Sequence, residues 1–172
     1  MRYLKFIITN YRAISEPLEI DVDRKSLIPI IGINESGKTT ILQAIFAFDY
    51  YNDDLNEGLH LKDTTNLYRS SSPDASIEAH IEMSRQDVVE ELEDSDDEKI
   101  VAFAKSLKSW PKFPSPIKIV RNLKTLQYSI LSFSSLNGGL GDEVSKTLVR
   151  SLPYILYFDD FPFLFIWFLF TL

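Results

Sequence analysis

The chain has no cysteine among its 172 residues, which excludes a disulfide framework and any zinc site built on thiolates. That composition is compatible with a reducing cytoplasm. Its two histidines, His60 and His80, have no metal-ligand companion at helical spacing; His80 reads as an ordinary side chain on the wet face of a strand, and His60 lies in a polar stretch. The opening Met1-Arg-Tyr-Leu-Lys-Phe6 lacks the basic stretch, long apolar core and small-residue cleavage site of a signal peptide, so the mature protein is expected to begin there. No internal repeat occurs, and no Asp-x-Asp-x-Asp-Gly spacing of a calcium loop. The stretch Phe161–Leu172 has no charge, but twelve residues are too few to span a bilayer, and Asp159, Asp160 and Pro162 interrupt any extension toward Leu152. No stable membrane insertion is expected, and a cytoplasmic location is.

What is present is a hydrophobic content of 45%, enough for a packed core in one domain or part of one. The net charge of −7 is local: Asp87 to Glu98 holds eight acidic residues in twelve and no basic one. The remainder is nearly balanced, so nucleic-acid binding elsewhere is not excluded. The run itself reads as a solvated helix start or loop.

The stretch with most chemical content is Gly32-Ile-Asn-Glu-Ser-Gly-Lys-Thr-Thr40, a P-loop pattern. The apolar run Leu27–Ile31 before it reads as a strand, and Thr40–Phe46 after it as an amphipathic helix ending near Asp49. Gly32 and Gly37 free the backbone for dihedrals closed to other residues, so that amide N–H groups converge on phosphates at a helix start. Lys38 is a flexible point charge for the β- and γ-phosphates, and the Thr39 hydroxyl is placed to ligate Mg²⁺. The cradle therefore comprises Gly32, Asn34, Glu35, Ser36, Gly37, Lys38, Thr39 and Thr40, with Lys38 also the first catalytic candidate.

Around it, Tyr3–Thr9 reads as a strand, and Leu18, Ile20 and Val22 alternate with acidic residues as in a second, half-buried one. Residues 52–74 are polar, with a loop at Ser70–Asp74. Ile77, Ala79 and Ile81 mark another strand. Ile100, Phe103, Ala104 and Leu107 share a helical face, stopped by Pro111 and Pro114. Residues 117–124 and 126–133 read as two strands, a candidate hairpin. Lys118, Arg121 and Lys124 make a small basic stretch, either a solvated strand edge protected by charge or a contact for DNA phosphates.

The order of Ile8, Asn10, Tyr11 and Arg12, then Gly32, Asn34, Gly37, Lys38, Thr39 and Thr40, then Ile41, Leu42, Ala44 and Ile45 resembles the N-terminal ATPase lobe of the SMC/RecF-like and OLD-like (overcoming lysogenization defect) branch of ABC-type ATPases, within the AAA family. The resemblance is dense over residues 1–48 and thin afterwards. It implies ATP rather than GTP and work on DNA or in phage defence, and the role of Asn34 rests on it alone. The chain also has no Asn-Lys-x-Asp element of the kind that reads guanine.

Near the C-terminus, Ser135–Leu140 precedes a helix expected from Asp142, with Val144 and Leu148 on one face, and then Tyr154–Asp160. This order resembles a signature loop, helix and Walker B strand, in which Asp159 is a magnesium ligand and Asp160 orients the attacking water. Leu136-Asn-Gly-Gly139 lacks the usual signature Ser and the polar residue after the glycines, so the stretch more closely resembles a segment that OLD-like and related ATPases carry in mid-domain, ahead of their signature and Walker B; a plain buried strand end is a third reading. Residues 1–160 are expected to form a partial ABC-type ATPase domain and 161–172 an apolar aromatic tail. The tail is an aggregation hazard unless covered; either the chain is the front of a longer ATPase, or a partner or membrane surface buries it.

The sequence thus points to an α/β P-loop NTPase with a mixed sheet, antiparallel N-terminal strands, a central parallel strand before Gly32 and helices packed on the sheet. ATP and Mg²⁺ are the expected cofactors. The resemblance implies a homo-oligomer joined through the ATPase lobe, hydrolysis in the complete assembly, DNA as a possible partner, and a nuclease or toxin effector as another. The alternative is a non-hydrolysing subunit in which nucleotide occupancy switches assembly with such an effector.

Overall fold

The computed structural model describes residues 1–25, 28–31, 37–53, 74–136, 138–158 and 165–169. Five strands, β1 (Arg2–Thr9), β2 (Leu18–Asp21), β3 (Ser76–Glu82), β4 (Ile117–Asn122) and β5 (Tyr128–Ile130), form one sheet in the order β2-β1-β3-β4-β5. Each neighbouring pair is antiparallel.

Period-two alternation puts one row of each strand on the core face. The register aligns Ile20, Phe6, Ala79, Ile119 and Ile130 across all five strands. A parallel row runs Leu18, Ile8, Ile77, Arg121 and Tyr128. The opposite face carries Asp21, Lys5, His80 and Lys118 in one row and Glu19, Ile7, Glu78 and Val120 in the next. Lys5 pairs there with Glu19 at 2.7 Å. His80 is less wet than its alternation implies: its side chain is 14% exposed, with Nε2 2.6 Å from Glu78 Oε1.

Two expectations are corrected at this level. Residues 28–31 form no strand, and Ile31 is 92% exposed. A central parallel strand needs hydrogen-bonding neighbours on both sides, whereas no described strand pairs with this run and Pro29 has no N–H to donate. The basic stretch 118–124 is also not one surface patch. Lys118 and Arg121 are an odd number of residues apart and therefore face opposite ways, so Arg121 is 1% exposed within the core. Lys124 pairs with Asp74 at 3.0 Å.

Helices α1 (Lys38–Phe46), α2 (Arg85–Glu93), α3 (Glu98–Leu107) and α4 (Gly138–Arg150) supply the cover. The acidic run is the outer side of α2 together with the link to α3, while Val88, Val89 and Leu92 turn inward. Ser84 and Asp87 form a reciprocal capping box at the start of α2, and Asp97 caps α3 through the Lys99 N–H at 2.7 Å. Ile100, Ala104 and Leu107 are buried, as their spacing predicts, and α3 ends before Pro111. Helix α4 starts at Gly138, four residues before the expected Asp142; Gly138 itself takes a left-handed φ of 60, which glycine tolerates, and the helix runs on through Gly139. Asp142 is then inside the helix, where its carboxylate accepts the Tyr128 N–H at 2.7 Å and ties α4 to β5. Val144 and Leu148 are fully buried.

Strands β6 (Tyr154–Phe158) and β7 (Phe165–Leu169) form a separate antiparallel pair, with Tyr154 opposite Leu169 and Phe158 opposite Phe165. Part of the aromatic tail is thus the second strand of this pair, and α1 lies against it. His60, the loop at residues 70–73, Asp159 and Asp160 lie outside the described residues.

The capping box generates a test. Ser84→Ala removes the acceptor for the Asp87 N–H at 3.1 Å and should cost about 1 kcal/mol, read as a lower urea midpoint at unchanged slope.

Candidate nucleotide site

Gly37 sits at φ 87 and ψ 11 as the N-cap of α1. That left-handed conformation favours glycine, and among the described residues a Cβ there would meet nothing within 4 Å, so conformation is the constraint seen at this position. The first intrahelical bond is Ile41 N–H to Gly37 O at 3.1 Å. The amides ahead of it have no intrahelical acceptor, Gly37 has no side chain with which to cap them, and the first turn contains no acidic residue. Thr39 is exposed and Lys38 half-buried at this end, while Leu42, Ala44, Ile45 and Phe46 anchor the rest of the helix in the core. An amide-rich turn with positive dipole, an ammonium and a hydroxyl is a donor set that fits phosphate.

The Asn10-Tyr-Arg12 segment docks on this helix. Asn10 and Arg12 take φ 53 and 51. The turn sends the Arg12 guanidinium over the Tyr11 ring, 5.3 Å from its centroid, and Arg12 Nη1 donates to Gln43 Oε1. Gln43 is buried and stands one helical turn beyond Thr39, on the same side of α1. Sequence spacing alone carried no sign of this Arg12–Gln43 contact.

At the other end of α1, the carbonyls of Ala47 and Phe48 accept from two side chains of the sheet. Arg121 Nη1 reaches Ala47 O at 2.8 Å, and Nη2 pairs with Asp53 Oδ2 at 2.6 Å. The guanidinium lies 5.1 Å from the Tyr128 ring centroid. The Tyr128 hydroxyl donates to Phe48 O and accepts the Tyr50 N–H at 3.0 Å. Burial holds that phenol well above its usual pKa. Asp49 follows at 3% exposure; it accepts the Tyr51 N–H at 3.0 Å and the backbone N–H of Ile155 in β6.

Of the residues singled out from sequence, Gly37, Lys38, Thr39 and Thr40 stand together at the start of α1. Gly32, Asn34, Glu35 and Ser36 lie outside the described residues, as do the Walker B candidates Asp159 and Asp160, which directly follow β6. Among the described residues no three His, Asp or Glu converge as a metal site. A groove of 810 Å³ between the α2–α3 link and α4 is lined by Glu91, Asp94, Asp96, Asp97 and Glu143 against Lys146 and Arg150. Its excess of carboxylates disfavours a polyphosphate there.

Burial pushes the Asp49 carboxyl above its ordinary pKa despite the two N–H donors. The folded state therefore holds its proton to higher pH than the unfolded chain, so stability falls as pH rises through the window above the ordinary Asp value. Asp49→Asn should lack that fall; relative to the parent, its urea midpoint should be higher at about pH 7 than at about pH 4.

Residues 1–134 match the family model described as AAA ATPase domain, a span that takes in the cradle and the entire five-stranded sheet. No curated protein matches the chain. A solved structure from work on the structural biochemistry of ATP-driven dimerization and DNA-stimulated activation of SMC ATPases shares 13% identity, covering 86% of this chain and 80% of that chain at a TM-score of 0.47. Among the described residues no helix is long and apolar enough to cross a membrane. With the family model spanning most of its length and the P-loop glycine opening α1, the chain belongs to the AAA ATPase domain family of nucleotide-binding ATPases.

Proposed function

We propose that the chain binds Mg-ATP at the start of α1, with Gly32 to Thr40 as the phosphate cradle, Lys38 on the phosphates and Thr39 on the metal. The observation that carries this reading is the left-handed Gly37 N-cap, a residue with no side chain of its own to cap the helix, at the head of a first turn that holds Lys38 and Thr39 and no acidic residue. Mg²⁺ binds through few protein oxygens together with substrate phosphates, which suits a single Thr hydroxyl beside the cradle. When bound, the ion would neutralise charge on the phosphates. Lys38 would add a point charge, and the helix dipole would favour the anion.

In a complete, cytoplasmic assembly of two or more lobes, this binding is proposed to drive ATP hydrolysis coupled to action on DNA or in phage defence. The sequence resemblance supports that step; under its Walker B reading alone, Asp159 would hold the metal and Asp160 would orient the attacking water. The rival is a non-hydrolysing, nucleotide-switched subunit that regulates a nuclease or toxin effector. DNA-stimulated phosphate release distinguishes the first; ATP-dependent assembly without turnover distinguishes the second.

Calorimetric titration with Mg-ATP tests the shared step. The parent chain should bind, and Lys38→Ala should bind at least about tenfold more weakly, a loss of roughly 1.4 kcal/mol. Thr39→Ala should weaken binding with Mg²⁺ present more than with chelator. Equal affinity in the parent and Lys38→Ala would sink the assignment.

A further inference from the structure

We infer that Arg121 and Tyr128 are positioning residues for the nucleotide site, acting through α1: they clamp its C-terminal end by the main-chain carbonyls of Ala47 and Phe48 and thereby set where Lys38 and Thr39 stand. The inference rests on the nucleotide-binding reading of the first turn of α1.

The sheet itself requires no charge at position 121. The row Leu18, Ile8, Ile77, Arg121 is apolar apart from Arg121, and an aliphatic side chain would complete it without desolvating a charge. Replacing a buried ion pair by packed apolar residues is often neutral or stabilising. The guanidinium is therefore explained by the groups it holds, and both belong to the end of α1 and the turn after it: Ala47 O at 2.8 Å and Asp53 Oδ2 at 2.6 Å. Tyr128, opposite Arg121 in the ladder, holds the next carbonyl, Phe48 O, and the Tyr50 N–H. Helix ends leave carbonyls without partners; here two neighbouring ones are filled by side chains of β4 and β5.

The same corner reaches the opposite flank. Asp49 takes the Ile155 N–H of β6, so the turn after α1 is held by β4 and β5 on one side and by β6 on the other. Helix α1 has nine residues and spans about 13 Å. A rod this short transmits an axial shift or rotation at Ala47 to Lys38. The positive charge of Arg121 also lies at the carbonyl end, where it complements the dipole that favours an anion at the amide end. Because coupling between two sites is reciprocal, nucleotide on the first turn must in turn tighten the clamp.

The experiment uses the full chain with Mg-ATP, comparing Arg121→Met, Arg121→Lys and Tyr128→Phe by calorimetry, with amide exchange of residues 47–53 and a thermal midpoint for each variant. Arg121→Met should lose about tenfold in affinity, Arg121→Lys should recover part of it, and Tyr128→Phe, which keeps the ring, should lose about threefold. Mg-ATP should slow exchange of the Tyr50 amide in the parent and not in Tyr128→Phe. Variants that are less stable yet bind as the parent does would show a merely structural clamp and overturn the inference, as would nucleotide that leaves the Tyr50 amide unmoved. If Arg121→Met does not fold, Tyr128→Phe decides. Parent binding that is lost in Lys38→Ala but kept in every clamp variant sinks only the clamp, whereas a parent that binds no Mg-ATP removes the nucleotide reading along with it.

Discussion

Carbonyl groups at the end of a short helix need partners, and in this protein the partners come from strands of the sheet distant in sequence. Arg121 and Tyr128 sit opposite one another on β4 and β5 and close over Ala47 O and Phe48 O. The arrangement fixes the rotation and axial position of α1 against strands that are about eighty residues away along the chain. It has an energetic cost, since a guanidinium leaves water only when its donors are satisfied. Arg121 Nε and Asp53 Oδ1 are buried without a hydrogen-bonding partner among the described residues, so the network is held at less than full satisfaction. Tyr128 offsets part of that cost by placing its ring beside the cation.

The rest of the molecule supports this corner. Asp142 of α4 holds the backbone of Tyr128, and α4 in turn packs with α2 and α3. The aromatic group Phe103, Trp110, Phe113 and Phe133 closes the end of α3 over the start of the β4–β5 region, with ring centroids 5.4 to 6.3 Å apart. Apolar packing therefore sets the position of β4 and β5, and two side chains carry that position to α1. The chemistry expected of the family is concentrated at the other end of the same helix, where Gly37 opens the first turn.

Much of the local structure was legible because it depends on near neighbours. Alternation of Ile77, Ala79 and Ile81 with polar residues marks β3, and the spacing of Ile100, Ala104 and Leu107 marks the buried side of α3. The P-loop pattern marks the start of α1 by the same logic, since a glycine, a lysine and two hydroxyls at fixed offsets are a local signal. Local patterns mislead where neighbours in space decide. Lys118, Arg121 and Lys124 look alike in sequence, yet the pleat sends Arg121 into the core while the other two stay outside. The run at 28–31 is apolar enough for a strand, yet a strand exists only where another lends it a ladder. Gly138 and Gly139 read as a loop, yet they begin α4, whose register lets Asp142 meet Tyr128 N–H.

The class of chemistry proposed for the chain was legible in a local pattern: Gly-x-x-x-x-Gly-Lys-Thr brings into nine residues the amides, ammonium and hydroxyl that suit a phosphate. The sequence also marked the inward rows of β3 and α3, since periods of two and 3.6 are properties of the backbone. Packing between distant segments settled the rest: every described strand pairing is antiparallel, β7 returns beside β6, and a buried arginine from β4 meets the end of α1. Those outcomes turn on which distant groups can satisfy a hydrogen bond or exclude water, and no local pattern encodes that choice.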